Sequence, residues 1–150
     1  MLLARIAVGF ALAYILGFER EVRGSPAGDR TFSLVGAGAA AITAVAYRTS
    51  PQAVAGVITG VGFIGAGVVF QSEGGMIRGI TTAASIFAAA AIGVVVGYGH
   101  LVLGVVTTAV VLLTLETRHI RALSILDARR YRERFRDDMA PPTGMDRSPE

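Results

Sequence analysis

From Gly79 to Leu115 the chain runs 37 residues without an Asp, Glu, Lys or Arg, in a sequence of 150. A stretch that long and uncharged has lipid as its solvent. As one continuous helix it would measure about 55 Å at about 1.5 Å per residue. That is nearly twice the roughly 30 Å of a bilayer's hydrocarbon core, so the stretch must fold back on itself. Gly97-Tyr98-Gly99-His100 is the natural turn. Charged residues make up only 17% of the chain, against about a quarter in an ordinary globular domain, so a soluble enzyme is the wrong default. The absence of cysteine excludes disulfides, thiolate metal sites and Cys nucleophiles. Two histidines, His100 and His119, are too few for a histidine-rich metal centre.

Uncharged stretches give five predicted spans, roughly Leu3–Phe18, Phe32–Tyr47, Ala53–Phe70, Ile80–Gly97 and Leu101–Leu115. The first and last are short, and snorkelling by Arg5 with slight extension past Glu116 would cover the mismatch. The expected fold is all-α, a polytopic transmembrane bundle of five helices, with four spans as the alternative. Ala11-Leu12-Ala13 resembles a signal-peptide cleavage site, but Ile6–Phe10 is too short an apolar run for one. With five spans, twelve of the fourteen arginines (Arg20, Arg23, Arg30, Arg78 and eight in the tail) fall on one side, and Arg5 and Arg48 on the other. The positive-inside rule then puts the N-terminus outside and the C-terminus in the cytoplasm. The domains expected are a transmembrane unit over 1–117, a basic amphipathic cytoplasmic helix over 118–139 and a disordered tail over 140–150. Ile120, Leu123, Leu126, Tyr131 and Phe135 form the apolar stripe of that helix, which either lies on anionic headgroups or is simply solvated. The high pI describes this tail and not a nucleic-acid surface.

Small residues recur every fourth position: Gly9, Ala13 and Gly17 in the first span, Gly36 and Ala40 in the second, Gly56 and Gly60 in the third, Ser85, Ala89, Gly93 and Gly97 in the fourth. Such rows let helix backbones approach closely within lipid. They predict a compact bundle that also self-associates as a homo-oligomer. Gly62, Gly65 and Gly67 extend the glycine content of the third span as packing or helix-breaking positions.

Three segments interrupt the apolar background. Glu19-Arg20-Glu21 closes the first span, and Gly28-Asp29-Arg30-Thr31 opens the second. Glu19 and Arg23 are spaced to pair along a helix, and Asp29 or Thr31 can cap the second span. Arg30 and Arg78, cations at helix N-termini, oppose the macrodipole and call for carboxylate partners. The prediction is a cytoplasmic polar cluster of Glu19, Arg20, Glu21, Asp29, Arg30, Thr31, Arg78, Thr81, Thr82 and Ser85, with Glu19, Glu21 and Asp29 as the candidate partners of Arg30 and Glu19–Arg30 as the pair to test; loose interfacial charges that only anchor topology are the alternative. Gly60-Val61-Gly62-Phe63-Ile64-Gly65 mimics a dinucleotide-binding loop, but its flanks are membrane span and not a βαβ unit.

Gly17-Phe18-Glu19-Arg20-Glu21, Ala27-Gly28-Asp29-Arg30-Thr31, Gly60 through Gly67 and Arg78-Gly79-Ile80-Thr81-Thr82-Ala83-Ala84-Ser85 occur in that order. The arrangement resembles the MgtC/SapB family and covers about Arg5 to Leu115. The resemblance implies a multi-pass protein of the bacterial inner membrane, with four or five helices, associated with magnesium limitation and usually regarded as regulatory. In some members it also implies virulence, survival inside macrophages and inhibition of the F-type ATP synthase; the virulence role is not transferred. Asp29 departs from the apolar residue many relatives carry, and the 35 residues after Leu115 are too few for the ACT-like C-terminal domain of the best-known members.

The functional expectation is a non-enzymatic protein of magnesium homeostasis or stress adaptation. It would act on the bilayer through contacts with itself or another membrane protein, such as the ATP synthase that the resemblance implies, with no cofactor and no nucleic acid. A small transporter or channel for Mg²⁺ or another solute is the alternative. Mg²⁺ needs only one or two carboxylates, so direct binding stays open, but no predicted span has a central Asp or Glu of the kind ion pathways show. Thr43, Thr59, Thr107 and Thr108 are expected to bond their own helix backbones. No nucleophile has a base within reach, and His100 is expected at the interface.

Overall fold

A computed structural model describes residues 1–70 and 78–117, and every regular element among them is helical. The helices are α1 (Leu2–Val22), α2 (Asp29–Ala46), α3 (Pro51–Phe70), α4 (Ile80–Gly97) and α5 (Leu101–Glu116). The interior of the loop between α3 and α4 and the expected helix and tail beyond residue 117 lie outside the described residues. Met1–Leu113 form one compact unit. Of the second unit, Thr114–Glu150, the described part is the last turn of α5 and Thr117, whose hydroxyl donates to the Thr114 carbonyl at 2.8 Å.

The chain breaks its helices where local chemistry requires. Gly24 ends α1 with a left-handed φ of 70°. Pro51 opens α3 at a position where the missing N–H is no loss. At the end of α4, the His100 N–H reaches the Val95 carbonyl and the Gly99 N–H reaches that of Val96, with Gly99 at φ 100°. This 6→1 and 5→2 pair satisfies the last carbonyls before the chain reverses into α5. The predicted turn at Gly97–His100 is therefore where the charge-free stretch folds back.

Packing is organised around α2, which contacts α1, α4 and α3. Gly36 sits at the crossing. A Cβ there would fall 2.4 Å from Ala13 Cβ and 2.8 Å from the Gly9 carbonyl oxygen. On the other flank, a Cβ at Gly93 would lie 2.4 Å from the Gly36 carbonyl oxygen. The rows of small residues on α1, α2 and α4 thus bring three backbones together as expected. Contacts of Gly9 with Gly36 and Ala40, and of Gly17 with Asp29 and Phe32, run α1 antiparallel to α2, while Gly93 against Gly36 and Gly97 against Thr43 run α4 parallel to α2.

The third helix departs from expectation. Gly65 makes ordinary contact with Ala83, but Gly56, Gly60, Gly62 and Gly67 meet nothing within 4 Å among the described residues. The sequence pattern marks these four as packing positions, yet within the protomer they are open, because α3 meets its neighbours through other residues such as the buried Val54 and Val61. α5 is also lightly held, with only Gly104 and Thr108 buried.

The distribution of apolar side chains is inverted relative to a soluble protein. Phe63 is 82% and Leu34 71% exposed. Phe10, Tyr14 and Phe18 form an exposed stacked ladder along α1. Phe32, Leu16, Ile86, Ile92 and Val96 are fully buried, among alanines and glycines. A surface this apolar calls for lipid or a packed partner against it. Three helices, Leu2–Val22, Pro51–Val69 and Ile80–Gly97, are long and apolar enough to cross a membrane, and α5 is a shorter apolar helix. α2 carries Asp29 and Arg30 in its first turn and is otherwise rich in Ala and Gly, the composition of a helix that faces other helices more than lipid.

Threonine hydroxyls on α3 and α5 bond backward along their own helix: Thr59 to Ala55, Thr107 to Leu103 and Thr108 to Gly104. Thr43 does not. Its Oγ1 is buried without a partner, contrary to the expectation for that residue.

Candidate functional site at the polar end of the bundle

The end of α1, the beginning of α2 and the beginning of α4 converge at one end of the bundle, and all ten predicted cluster residues lie there. Gly17 makes the convergence possible: a Cβ at that position would sit 2.7 Å from both Asp29 Cα and Phe32 Cβ. The residues divide into three local arrangements.

In the first, the Glu19 carboxylate accepts from two nitrogens of the Arg20 guanidinium and also faces Arg23 Nε at 3.5 Å. The Glu19 and Arg20 side chains are only 13% and 11% exposed. An ion pair so shielded is costly to break, since removing one partner strands the other charge in a low dielectric. The predicted i, i+4 contact between Glu19 and Arg23 is present. The predicted pairing of Glu19 with Arg30 is not made, because Arg20 takes up both carboxylate oxygens. The Arg30 side chain has no carboxylate partner among the described residues.

In the second, Glu21 Oε2 accepts the Asp29 backbone N–H at 3.0 Å, and Asp29 Oδ1 accepts the Arg30 N–H at 2.6 Å. Two carboxylates thereby satisfy orphan donors at the start of α2 and complement the positive end of its dipole. The N-cap position is Gly28 and not the expected Asp29 or Thr31; Asp29 is the first residue of the helix, and a second carboxylate reaches the helix start from the preceding helix. Gly28 is what admits it, since a Cβ there would coincide with Glu21 Oε2 at 1.8 Å. Glu21, Gly28, Asp29, Arg30 and Thr31 line an open depression of about 410 Å³.

In the third, Ser25 Oγ and Thr82 Oγ1 are 3.1 Å apart and tie the α1–α2 loop to α4. Ser85 donates to the Thr81 carbonyl at 2.7 Å, so its hydroxyl serves its own helix. Thr81 and Arg78 are exposed. Ser25 is a member of the site that the sequence reading treats only as part of a helix-breaking turn; its signal, a hydroxyl beside Gly24 and Pro26, is indistinguishable from ordinary turn chemistry.

Among the described residues no group of three or more His, Cys, Asp or Glu side chains is placed to hold a metal ion. Glu21 and Asp29 are the two carboxylates facing the depression. They could meet a hydrated Mg²⁺ through outer oxygens while keeping their backbone bonds.

The MgtC family model matches residues 6–121. A Brucella abortus protein named "Protein MgtC" is 43% identical over 101 residues, covering 64% of this chain and 42% of that protein. "Protein SrpB" of Synechococcus elongatus is 36% identical, covering 74% of this chain and 71% of its own length. An Escherichia coli K12 protein named "Putative magnesium transporter YhiD" is 39% identical over 132 residues, covering 79% of this chain and 59% of its own. The chain spans about half the length of the Brucella and Escherichia relatives. No solved structure matches it. With the ordered polar segments gathered at one end of a lipid-facing helical bundle and the family match running through all five helices, this chain belongs to the MgtC family.

Proposed function

We propose that this protein is a non-enzymatic, regulatory component of magnesium homeostasis in the bacterial inner membrane, acting by contact with other membrane proteins and with copies of itself. The chain crosses the bilayer five times, with the N-terminus outside and the polar end of the bundle in the cytoplasm. One observation carries the reading: the inner faces of α1, α2 and α4 close on each other through Gly9, Gly36 and Gly93 with no carboxylate between them, while four glycines of α3, Gly56, Gly60, Gly62 and Gly67, meet nothing within the protomer among the described residues. A protein built this way offers its specificity at its surface. The open face of α3 serves self-association, and the Glu21–Asp29–Arg30 depression serves a cytoplasmic or membrane-embedded partner. The F-type ATP synthase is the partner that the family resemblance implies.

Because the chain has no cysteine, single substitutions can map these contacts directly. Gly60→Cys in native membranes is expected to give a disulfide-linked dimer, and Leu34→Cys, exposed on α2, is not. Absence of any cross-linked species, together with unchanged growth at low magnesium after deletion, would remove the proposal. The second reading is transport of Mg²⁺ or another small solute, favoured by the name of the Escherichia coli relative and by the two carboxylates at the depression.

A further inference from the structure

The opposite end of the bundle, away from the candidate site, holds a second cluster that no part of the proposed function uses. It is formed by the start of α1, the α2–α3 turn and the α4–α5 turn. Arg5 donates from NH1 to the Gly97 carbonyl at 2.9 Å. The α4–α5 turn passes so close that a Cβ at Gly99 would fall 2.9 Å from the Arg5 guanidinium. The Arg5 guanidinium carbon lies 6.0 Å from the centre of the Tyr47 ring, and that of Arg48 lies 5.3 Å from the same ring. Tyr98 packs edge-on against Tyr47 with centroids 5.7 Å apart.

Two cations are thus arrayed on one aromatic ring, which orients them by cation–π attraction. Neither has a carboxylate partner among the described residues. No Asp or Glu occurs in residues 1–18, 30–72 or 74–115, which include every segment at this end. The Gly97 carbonyl uses one of the five N–H donors of Arg5. No other protein acceptor takes the remaining ones among the described residues, and Arg48 is exposed. Guanidinium forks match the paired oxygens of a phosphate, and tyrosines flanking them sit at headgroup level in a membrane protein.

We propose that Arg5 and Arg48, held by Tyr47, form a binding site for a phosphate group, carried by an anionic lipid headgroup or by free phosphate. The site is preorganised on the Arg5 side, where the α4 C-terminus and Gly99 fix the guanidinium, and adjustable on the Arg48 side, where the side chain is open.

The test uses the full chain in dodecyl maltoside micelles, titrated with phosphatidylglycerol, phosphatidylcholine and inorganic phosphate. The readouts are retained lipid by native mass spectrometry and the thermal midpoint by circular dichroism. Wild type is expected to retain phosphatidylglycerol over phosphatidylcholine, and Arg48→Gln to weaken that retention about tenfold, the scale of one lost hydrogen bond to a charged group. Competition by millimolar-range inorganic phosphate would identify free phosphate as a ligand of the same site; no competition would assign it to the lipid headgroup. Arg5→Gln also removes a cap from α4 and lowers the midpoint, so Arg48→Gln, at an exposed position, decides the matter if Arg5→Gln does not fold. Retention unchanged in Arg48→Gln would overturn the proposal, as would an equal loss in Arg30→Gln at the other end of the bundle.

Discussion

Gly93→Ala separates a bundle held by backbone approach from one held by side-chain interdigitation. The added Cβ would lie 2.4 Å from the Gly36 carbonyl oxygen and 2.8 Å from Ala39 Cβ. Carbon atoms in good contact sit about 3.5–4.0 Å apart, so the overlap is about 1 Å. The nearest obstacle is backbone and cannot rotate away. Relief requires α4 to move off α2, which also loosens Gly36 against Gly9 and Ala13. Overpacking of this kind costs about 1–3 kcal/mol, and alanine returns up to about 1 kcal/mol through its better helix propensity. The net expectation is a loss of about 1–2 kcal/mol. Gly60→Ala meets nothing within 4 Å and should leave a monomeric protomer unchanged or more stable by about 0.5–1 kcal/mol, while weakening self-association through α3. The assay is reversible unfolding in mixed micelles of rising dodecyl sulfate content, at a dilution where the protein is monomeric, followed by far-UV circular dichroism. A Gly93→Ala variant as stable as wild type would refute the backbone-crossing account.

The polar end supports further tests. Glu21→Ala should destabilise by about 1 kcal/mol, the usual worth of a helix N-cap, with Glu21→Gln intermediate because it keeps an acceptor oxygen; equal stability of Glu21→Ala and wild type in the same unfolding assay would remove the inter-helix cap. A double-mutant cycle on Glu19 and Arg20 should show coupling well above the roughly 0.3–0.5 kcal/mol scatter of independent sites, and one on Glu19 and Arg30 should fall within that scatter. Gly79→Ala places a side chain at φ 84° and 2.8 Å from the Val68 carbonyl oxygen, so a loss of about 1 kcal/mol or more is expected, measured by the same unfolding midpoint. Ser25→Ala and Thr82→Val should be non-additive by about 0.5–1.5 kcal/mol, since each removes one half of the same hydroxyl contact.

The architecture was readable because charge and turn residues punctuate this sequence sharply. The predicted spans fall on the five helices, and the turn at Gly97–His100 lies where the glycine pair placed it. α1 runs on to Val22 because Glu19, Arg20 and Glu21 continue its helix in polar surroundings, where the apolar pattern no longer reports it. The small-residue rows mark contacts within the protomer on α1, α2 and α4 but not on most of α3, since a helix-spaced glycine row looks the same whether its partner lies in the same protomer or elsewhere. At the polar end the i, i+4 contact of Glu19 with Arg23 was legible in the sequence, and the other pairings were not. Local geometry let Arg20 outcompete Arg30 for Glu19, and the cap on α2 came from Glu21, eight residues before the N–H it accepts. The Arg5–Tyr47–Arg48 arrangement left no local trace, because its hydrogen bond joins residues 92 positions apart.

The central claim is that this protein works through contacts at its surface and does not conduct magnesium. The most direct measurement is Mg²⁺-dependent fluorescence of an indicator trapped in sealed proteoliposomes, comparing wild type with Glu19→Gln. The account predicts no flux above protein-free vesicles for either folded protein. Protein-dependent flux in wild type that Glu19→Gln reduces would contradict it and place the polar end of the bundle on a transport path.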